Sequence, residues 1–283
     1  MHFEPPWDSL LAGFPADSAV LLQHRPLVDY YRAKGLALVI TLDATNGLDR
    51  SAEAPALVAA GRSITEPEVQ QLYRAYAVAV DTLLDPDYLG LAAETNLIRA
   101  AASPSLYAAL VQVANDAADD VRAADTSVPL YVSVQVETAW GAFGGGGYQG
   151  IATDLTDFPF AQAIGLSSYP YLGGFAEPEE LPLDYYSRLT ALPKLVVEGG
   201  WTSATALAST PAEQARYLRR HAVLLDQAQA VAVFQLTFTD LDSTFFPPGT
   251  ILPLFAHLGV VDVELQPKPG LAAWDSAFAR PRL

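Results

Sequence analysis

The feature that most limits what this chain can fold into is a regular alternation of two kinds of segment. Six runs are continuously apolar, rich in β-branched or aromatic residues, and bounded by polar or turn residues: LALVITLD, YLGLAAE, LYVSVQVE, AIGLSSYPY, KLVVE and VAVFQLTFTD. Such runs read as strands buried on both faces, the pattern of a parallel sheet. Helical spacing occupies the intervals: EPEVQQLYRAYAVAVDTLL after Thr65, SLYAALVQVANDAADDVRAA after Ser103 and Pro104, and AEQARYLRRHAVLLDQAQA behind Thr210, Pro211 and Glu213, which read as a capping box. RPLVDYYRAKG has the same spacing and a glycine stop ahead of the first run. Alternation of this kind implies parallel pairing through right-handed crossovers, as an open doubly wound sheet or a closed (β/α)8 barrel.

Two features favour the barrel. No nucleotide-binding glycine fingerprint accompanies the runs, and polar residues collect at the C-terminal ends of several of them: Asp43 with Asn46, Glu94 with Asn96, Glu137, Tyr169, Glu198 and Asp240. Barrel enzymes assemble their sites from those ends, whereas an open sheet concentrates its site at one switch point. HFEPPW reads as the tail of a further strand and LQPKPGLAAWDSAFAR as the last outer helix, so about seven strands are expected against the eight of a closed barrel. The expected fold class is therefore an α/β, (β/α)8 TIM barrel, incomplete at the N-terminus, with the first βα unit missing. The chain has 283 residues, of which 51% are apolar and 17% charged, enough for one large core, and a single domain over 1–283 is expected.

Charge narrows the partners. Lys and Arg number 16 against 32 Asp and Glu, a net charge of −16 that repels phosphate backbones and anionic lipid surfaces, so neither nucleic acid nor membrane is expected as a partner. With no cysteine and four scattered histidines, no metal site is expected, and no cofactor. No run reaches the roughly 18 apolar residues of a membrane span, and MHFEPPWDSL lacks the regions of a signal peptide. Oligomeric state is left open.

Glycosidic hydrolysis with retention uses two carboxyl groups, one protonated and one ionised, roughly 5 Å apart across the bond. Glu94 and Glu198 end two of the runs, and with HFEPPW counted as the second strand they fall on the fourth and seventh. The segments GLAAETN and KLVVEGGW, with IGLSSYPY before the latter and the terminal KPGLAAW, resemble the corresponding parts of clan A glycoside hydrolases, especially the endo-β-1,4-galactanase-like group. The resemblance implies that Glu94 is the acid/base, Glu198 the nucleophile, and Tyr169 a hydrogen-bond partner of the nucleophile, with carbohydrate as substrate. Ala93 stands where the clan usually has the asparagine that binds the sugar 2-hydroxyl. That departure and the missing first unit motivate an alternative, a catalytically inactive or truncated barrel that binds carbohydrate.

A lone glutamate at a strand end also has a plainer use: it reaches solvent, caps the next helix or pairs with an arginine. Two at matching ends, with Tyr169 and the EGGW context, favour chemistry. Asn96, Glu137, Asp43 and Asp240 are candidate substrate contacts, with Asn46 and Asp242 beside them. Trp201, Trp140, Phe238 and Trp7 are candidate platforms for the apolar faces of sugar rings. The stretch AFGGGGYQG at 142–150 lacks a following Lys-Ser or Lys-Thr, so a loop over the cleft is expected rather than a phosphate cradle. No G-x-S-x-G elbow is present, and Lys194 sits at the wrong end of its strand for a Schiff base. An extracytoplasmic location fits the clan if an export signal lies in the missing N-terminal part.

Overall fold

All the expected strands form, but with unequal lengths. In the computed structural model, which describes residues 1–125, 127–143 and 146–280, they are β1 (His2–Phe3), β2 (Val39–Leu42), β3 (Tyr88–Gly90), β4 (Leu130–Gln135), β5 (Ala163–Ser168), β6 (Lys194–Gly199) and β7 (Ala232–Val233). The sheet takes them in chain order, from β1 to β7, and the pairs β1–β2, β2–β3, β3–β4 and β6–β7 are parallel. Among the described residues this is a (β/α)8-type barrel sheet with seven strands, against the eight of a closed barrel. The helices are α1 (Trp7–Leu11), α2 (Ala16–Gln23), α3 (Arg25–Ala33), α4 (Pro55–Ala59), α5 (Pro67–Leu84), α6 (Thr95–Ala101), α7 (Pro104–Ala124), α8 (Val136–Ala139), α9 (Ala152–Asp157), α10 (Pro211–Ala228) and α11 (Pro269–Phe278).

VAVFQLTFTD differs most from expectation, with only Ala232–Val233 forming regular strand. Beyond it Phe234 N bonds Val196 O and Leu236 N bonds Gly199 O, both near 3 Å, after which the run turns to another partner, with Thr239 bridging Val261 in parallel and Asp240 N bonding Val261 O at 3.0 Å. β7 is last in the strand order, and Phe234, Leu236 and Phe238 remain 37%, 36% and 61% exposed.

Contacts divide the chain into two units, Met1–Val134 with Ile151–Gly165, and Gln135–Gly150 with Leu166–Leu283. In the first, α5 packs on α2 and α7. Ser103 caps α7 by accepting the Leu106 N–H at 3.2 Å, with Pro104 at the first helical position. The interior here is filled by size compensation. Tyr131 of β4 bonds Thr41 Oγ1 at 2.6 Å, and its ring lies where any Cβ on Gly90 or Gly165 would come within 2.6 and 2.9 Å. One large residue and two glycines fill a layer that barrels usually fill with branched side chains. In the second unit α10 packs on α11, and Thr210 caps α10 by accepting the Glu213 N–H at 3.2 Å.

Among the described residues, the buried side-chain atoms without a hydrogen-bond partner include both carboxylate oxygens of Asp81 on α5 and Nε2 of His221 on α10. Burial raises the Asp81 acid to about 6 and lowers the His221 imidazole to about 4. The two pull in opposite senses. Between about 4 and 6.5 the unfolded chain holds more protons at His221, so this residue makes stability rise with pH. Between 3.8 and about 6 the folded chain holds more at Asp81, which makes stability fall. The expected spans are about 3 kcal/mol for His221 and, allowing for solvent screening, about 2 kcal/mol for Asp81. Asp81→Asn therefore leaves a rising slope, and His221→Leu a falling one, in urea midpoints measured from pH 4 to 7. Equal slopes in the wild type and both variants would refute this.

Candidate active site

In the first unit, Asp43 directly follows β2 and Glu94 stands four residues past the end of β3, at the cap position of α6. Arg50 joins them, with Nη1 donating to Asp43 Oδ2 at 2.5 Å and Nε to Glu94 Oε2 at 2.8 Å. All three are at least nine-tenths buried. Asp43 also accepts from the Thr45 N–H and hydroxyl at 3.0 Å, and its Oδ2 lies 3.0 Å from His2 Nε2. Burial opposes ionisation of Asp43, but the Arg50 charge and the bonds from His2 and Arg50 outweigh it and hold the acid well below the usual carboxylate range. The same two carboxylates keep Arg50 charged against its own burial.

Glu94 adopts a left-handed backbone, φ +45°, and its N–H donates to Ser133 Oγ of β4 at 2.9 Å. A non-glycine residue held in that region costs of order 1 kcal/mol and persists only where its surroundings enforce it. Here the enforcement is visible, because the side chain is fixed by Arg50 and the N–H by Ser133. One of the plainer uses of such a glutamate, arginine pairing, is thus present at Glu94. Asn96 is buried in the first turn of α6.

In the second unit, Glu198 is the penultimate residue of β6 and is partly exposed. The two glycines after it have a steric reason. A Cβ on Gly199 would lie 2.4 Å from Ser168 O and one on Gly200 2.8 Å from Gln235 Nε2, and both glycines have φ +153°. Gly200 N donates to Ser168 O at 3.1 Å, so the end of β6 lies tight against the end of β5. Tyr169 follows β5 and is buried, edge-on to Phe255 at 5.0 Å and to Tyr171 at 6.4 Å.

Glu137 lies in α8, just after β4, and is fully buried. Its Oε1 accepts from Tyr185 OH at 2.7 Å and Ser168 Oγ at 2.9 Å, Oε2 accepts from Gln135 Nε2, and the Tyr169 N–H adds a further bond. Burial raises this acid despite those donors. Trp201, two per cent exposed, donates to Ser209 Oγ at 2.9 Å and packs on Tyr217 and Tyr171, so it belongs to the unit's core. Trp140 is partly exposed, stacks on Tyr185 at 5.3 Å and donates to its carbonyl at 3.0 Å. Asp240 stands apart from this group, bonded to Lys268 Nζ at 2.6 Å and 3.2 Å from His257 Nδ1. Trp7 is buried against Tyr73, and Phe238 is exposed. Of the glycine-rich stretch, residues 144 and 145 lie outside the described residues.

Within the first unit, then, Asp43 and Glu94 meet through Arg50. Within the second, Tyr169 and Glu137 meet at the turn that abuts the end of β6. Sequence reasoning passed over Arg50, which sits in the loop GLDRSAE with no strand-end signal, and Tyr185 and Ser168. Among the described residues no three His, Asp or Glu side chains form a group able to hold a metal ion, and no helix is long and apolar enough to cross a membrane.

No family model matches the chain, and no curated protein does. Solved structures do. A GH53 catalytic domain from Ignisphaera aggregans superposes with TM-score 0.64 at 15% identity, covering 88% of this chain and 76% of that one. An exo-β-1,4-mannosidase from Opitutaceae bacterium strain TAV5 gives 0.65 at 19% identity over 93% of this chain, which spans about half (49%) of the mannosidase's length. A β-glucosidase from Thermotoga maritima gives 0.65 at 12% identity, covering 98% and 82%. At these identities the likeness is one of fold, the (β/α)8-type barrel described above.

Proposed function

We propose that the protein is a retaining glycoside hydrolase acting on a β-linked oligo- or polysaccharide. The observation that carries the reading is the contrast between Glu94, in the loop after β3, and Glu198, at the end of β6. Glu94 is buried in a trio with Asp43 and Arg50, and Glu198 is partly exposed on β6 in front of two sterically required glycines. The trio has one positive charge for two carboxyl groups. In this reading Glu94 is the acid that supplies the proton the first step needs, while Asp43 stays ionised beside Arg50.

In that step Glu198 attacks the anomeric carbon, a glycosyl ester forms, and Glu94 protonates the departing oxygen. Glu94, now a carboxylate, then takes a proton from water as the water displaces Glu198. Tyr169 is the candidate donor to the Glu198 carboxylate, and Asn96 a candidate sugar contact near the acid, in a chain that has Ala93 where the clan has its asparagine.

Stereochemistry tests the reading directly. Aryl β-galactosides, β-mannosides, β-glucosides and β-xylosides are incubated with the protein and the first-formed sugar is followed by proton NMR. The β-anomer is expected first, with the α-anomer appearing only through mutarotation. An α-anomer formed first would mean a single displacement, and hydrolysis of no β-glycoside together with retained sugar binding would favour the inactive carbohydrate-binding barrel suggested by Ala93.

A further inference from the structure

We infer that Glu137 is a positioning residue for the nucleophile: a buried carboxylate that fixes the end of β5, and through it Tyr169 and the β6 turn that carries Glu198. The inference rests on the hydrolase reading. Its physical basis is a short series of contacts inside one unit of the fold. The Glu137 carboxylate accepts from the Ser168 hydroxyl at 2.9 Å and from the Tyr169 N–H. Ser168 is thereby held by its side chain, while its carbonyl accepts the Gly200 N–H at 3.1 Å and sits where a Cβ on Gly199 would be only 2.4 Å away. Glu198 immediately precedes Gly199. A shift of the Ser168–Tyr169 backbone therefore moves both the strand end bearing the nucleophile and its candidate hydrogen-bond partner.

The surroundings of Glu137 point to a role in holding geometry rather than in contacting substrate. It has no exposed surface, and Gly173 approaches so closely that a Cβ there would fall 2.7 Å from the Glu137 Cγ. The donors around it, Tyr185 OH, Ser168 Oγ, Gln135 Nε2 and the Tyr169 N–H, match a group that only accepts. Tyr186 OH donates in turn to Ser168 Oγ at 3.2 Å, so a second layer fixes the first. Glutamine at this position keeps the shape but turns an NH2 toward groups that are themselves donors.

The test compares Glu137→Gln, Ser168→Ala and Glu198→Ala on an aryl β-glycoside that the wild type hydrolyses. Displacement of reacting groups by about 1 Å costs about 10²-fold, so Glu137→Gln is expected to lower kcat by about that factor while KM stays within about twofold. The acidic limb of its kcat/KM profile, which reports the free enzyme's nucleophile, shifts as well. Ser168→Ala lowers kcat in the same way, and the double variant loses less than the product of the two single losses, because both act through one contact. A natively folded Glu137→Gln with wild-type kcat and pH profile overturns the inference. If that variant does not fold, Ser168→Ala decides: lowered kcat at constant KM supports the role, and unchanged kcat overturns it. An inactive wild type, or an active Glu198→Ala, refutes the hydrolase reading instead, so the two failures are told apart.

Discussion

Glu198→Ala is expected to lower kcat on an aryl β-glycoside by about 10⁴-fold or more, the scale of losing a covalent nucleophile in other hydrolases. Stability should change little, because the residue is partly exposed and the backbone of its strand end is held by Gly199 and Gly200 against Ser168. The loss has a chemical remedy that a merely unfolded variant lacks. With the carboxylate gone, azide fits the vacated face and displaces the aglycone once, giving an α-glycosyl azide from a β-glycoside. Rescue with that inverted product assigns the nucleophile. A variant that keeps its turnover, or that azide rescues with a β-product, places the nucleophile elsewhere.

How much of this was readable beforehand depended on where the determining contacts lie along the chain. Strands buried on both faces, such as β4 and β5, have every residue buried, so a continuous apolar run identified them. The short β1 was visible too, because His2–Phe3 ends in a turn sequence before the first helix. VAVFQLTFTD was over-read for the opposite reason. Its composition suits a strand, but beyond Ala232–Val233 its backbone bonds pass from β6 to Val260–Val261, so no regular ladder continues.

Site residues divide in a similar way. Asp43 and Glu198 stand at strand ends and Glu94 in the short loop after β3, and the apolar runs that they close draw attention to them. Arg50 does not, since a loop residue is brought to Asp43 and Glu94 by a backbone path that no periodicity encodes. The Tyr131, Gly90 and Gly165 complement was equally hidden, because three strands must be superposed before one ring is seen to need two missing side chains. Trp201 shows the limit of composition: a tryptophan after a strand end suggested a sugar platform, whereas its indole N–H is taken by Ser209 and its ring by Tyr217.

Glu94→Ala provides the second large effect, and the argument turns on the leaving group. An acid catalyst is worth about 10²- to 10⁴-fold, but only where the departing oxygen needs a proton. For an alkyl glycoside or an oligosaccharide the variant should lose activity on that scale. For a dinitrophenyl glycoside, whose phenolate leaves unaided, formation of the glycosyl ester should be nearly spared. Its breakdown should be slowed, since the same residue activates water. A burst of dinitrophenolate followed by slow turnover is therefore expected, with a lowered KM as the ester accumulates. The variant should fold, because Arg50 keeps its 2.5 Å partner Asp43 and Ala tolerates the φ of +45° no worse than Glu. Equal losses on good and poor leaving groups would instead identify Glu94 as a structural partner of Arg50, the plainer of the two roles that its 2.8 Å ion pair allows.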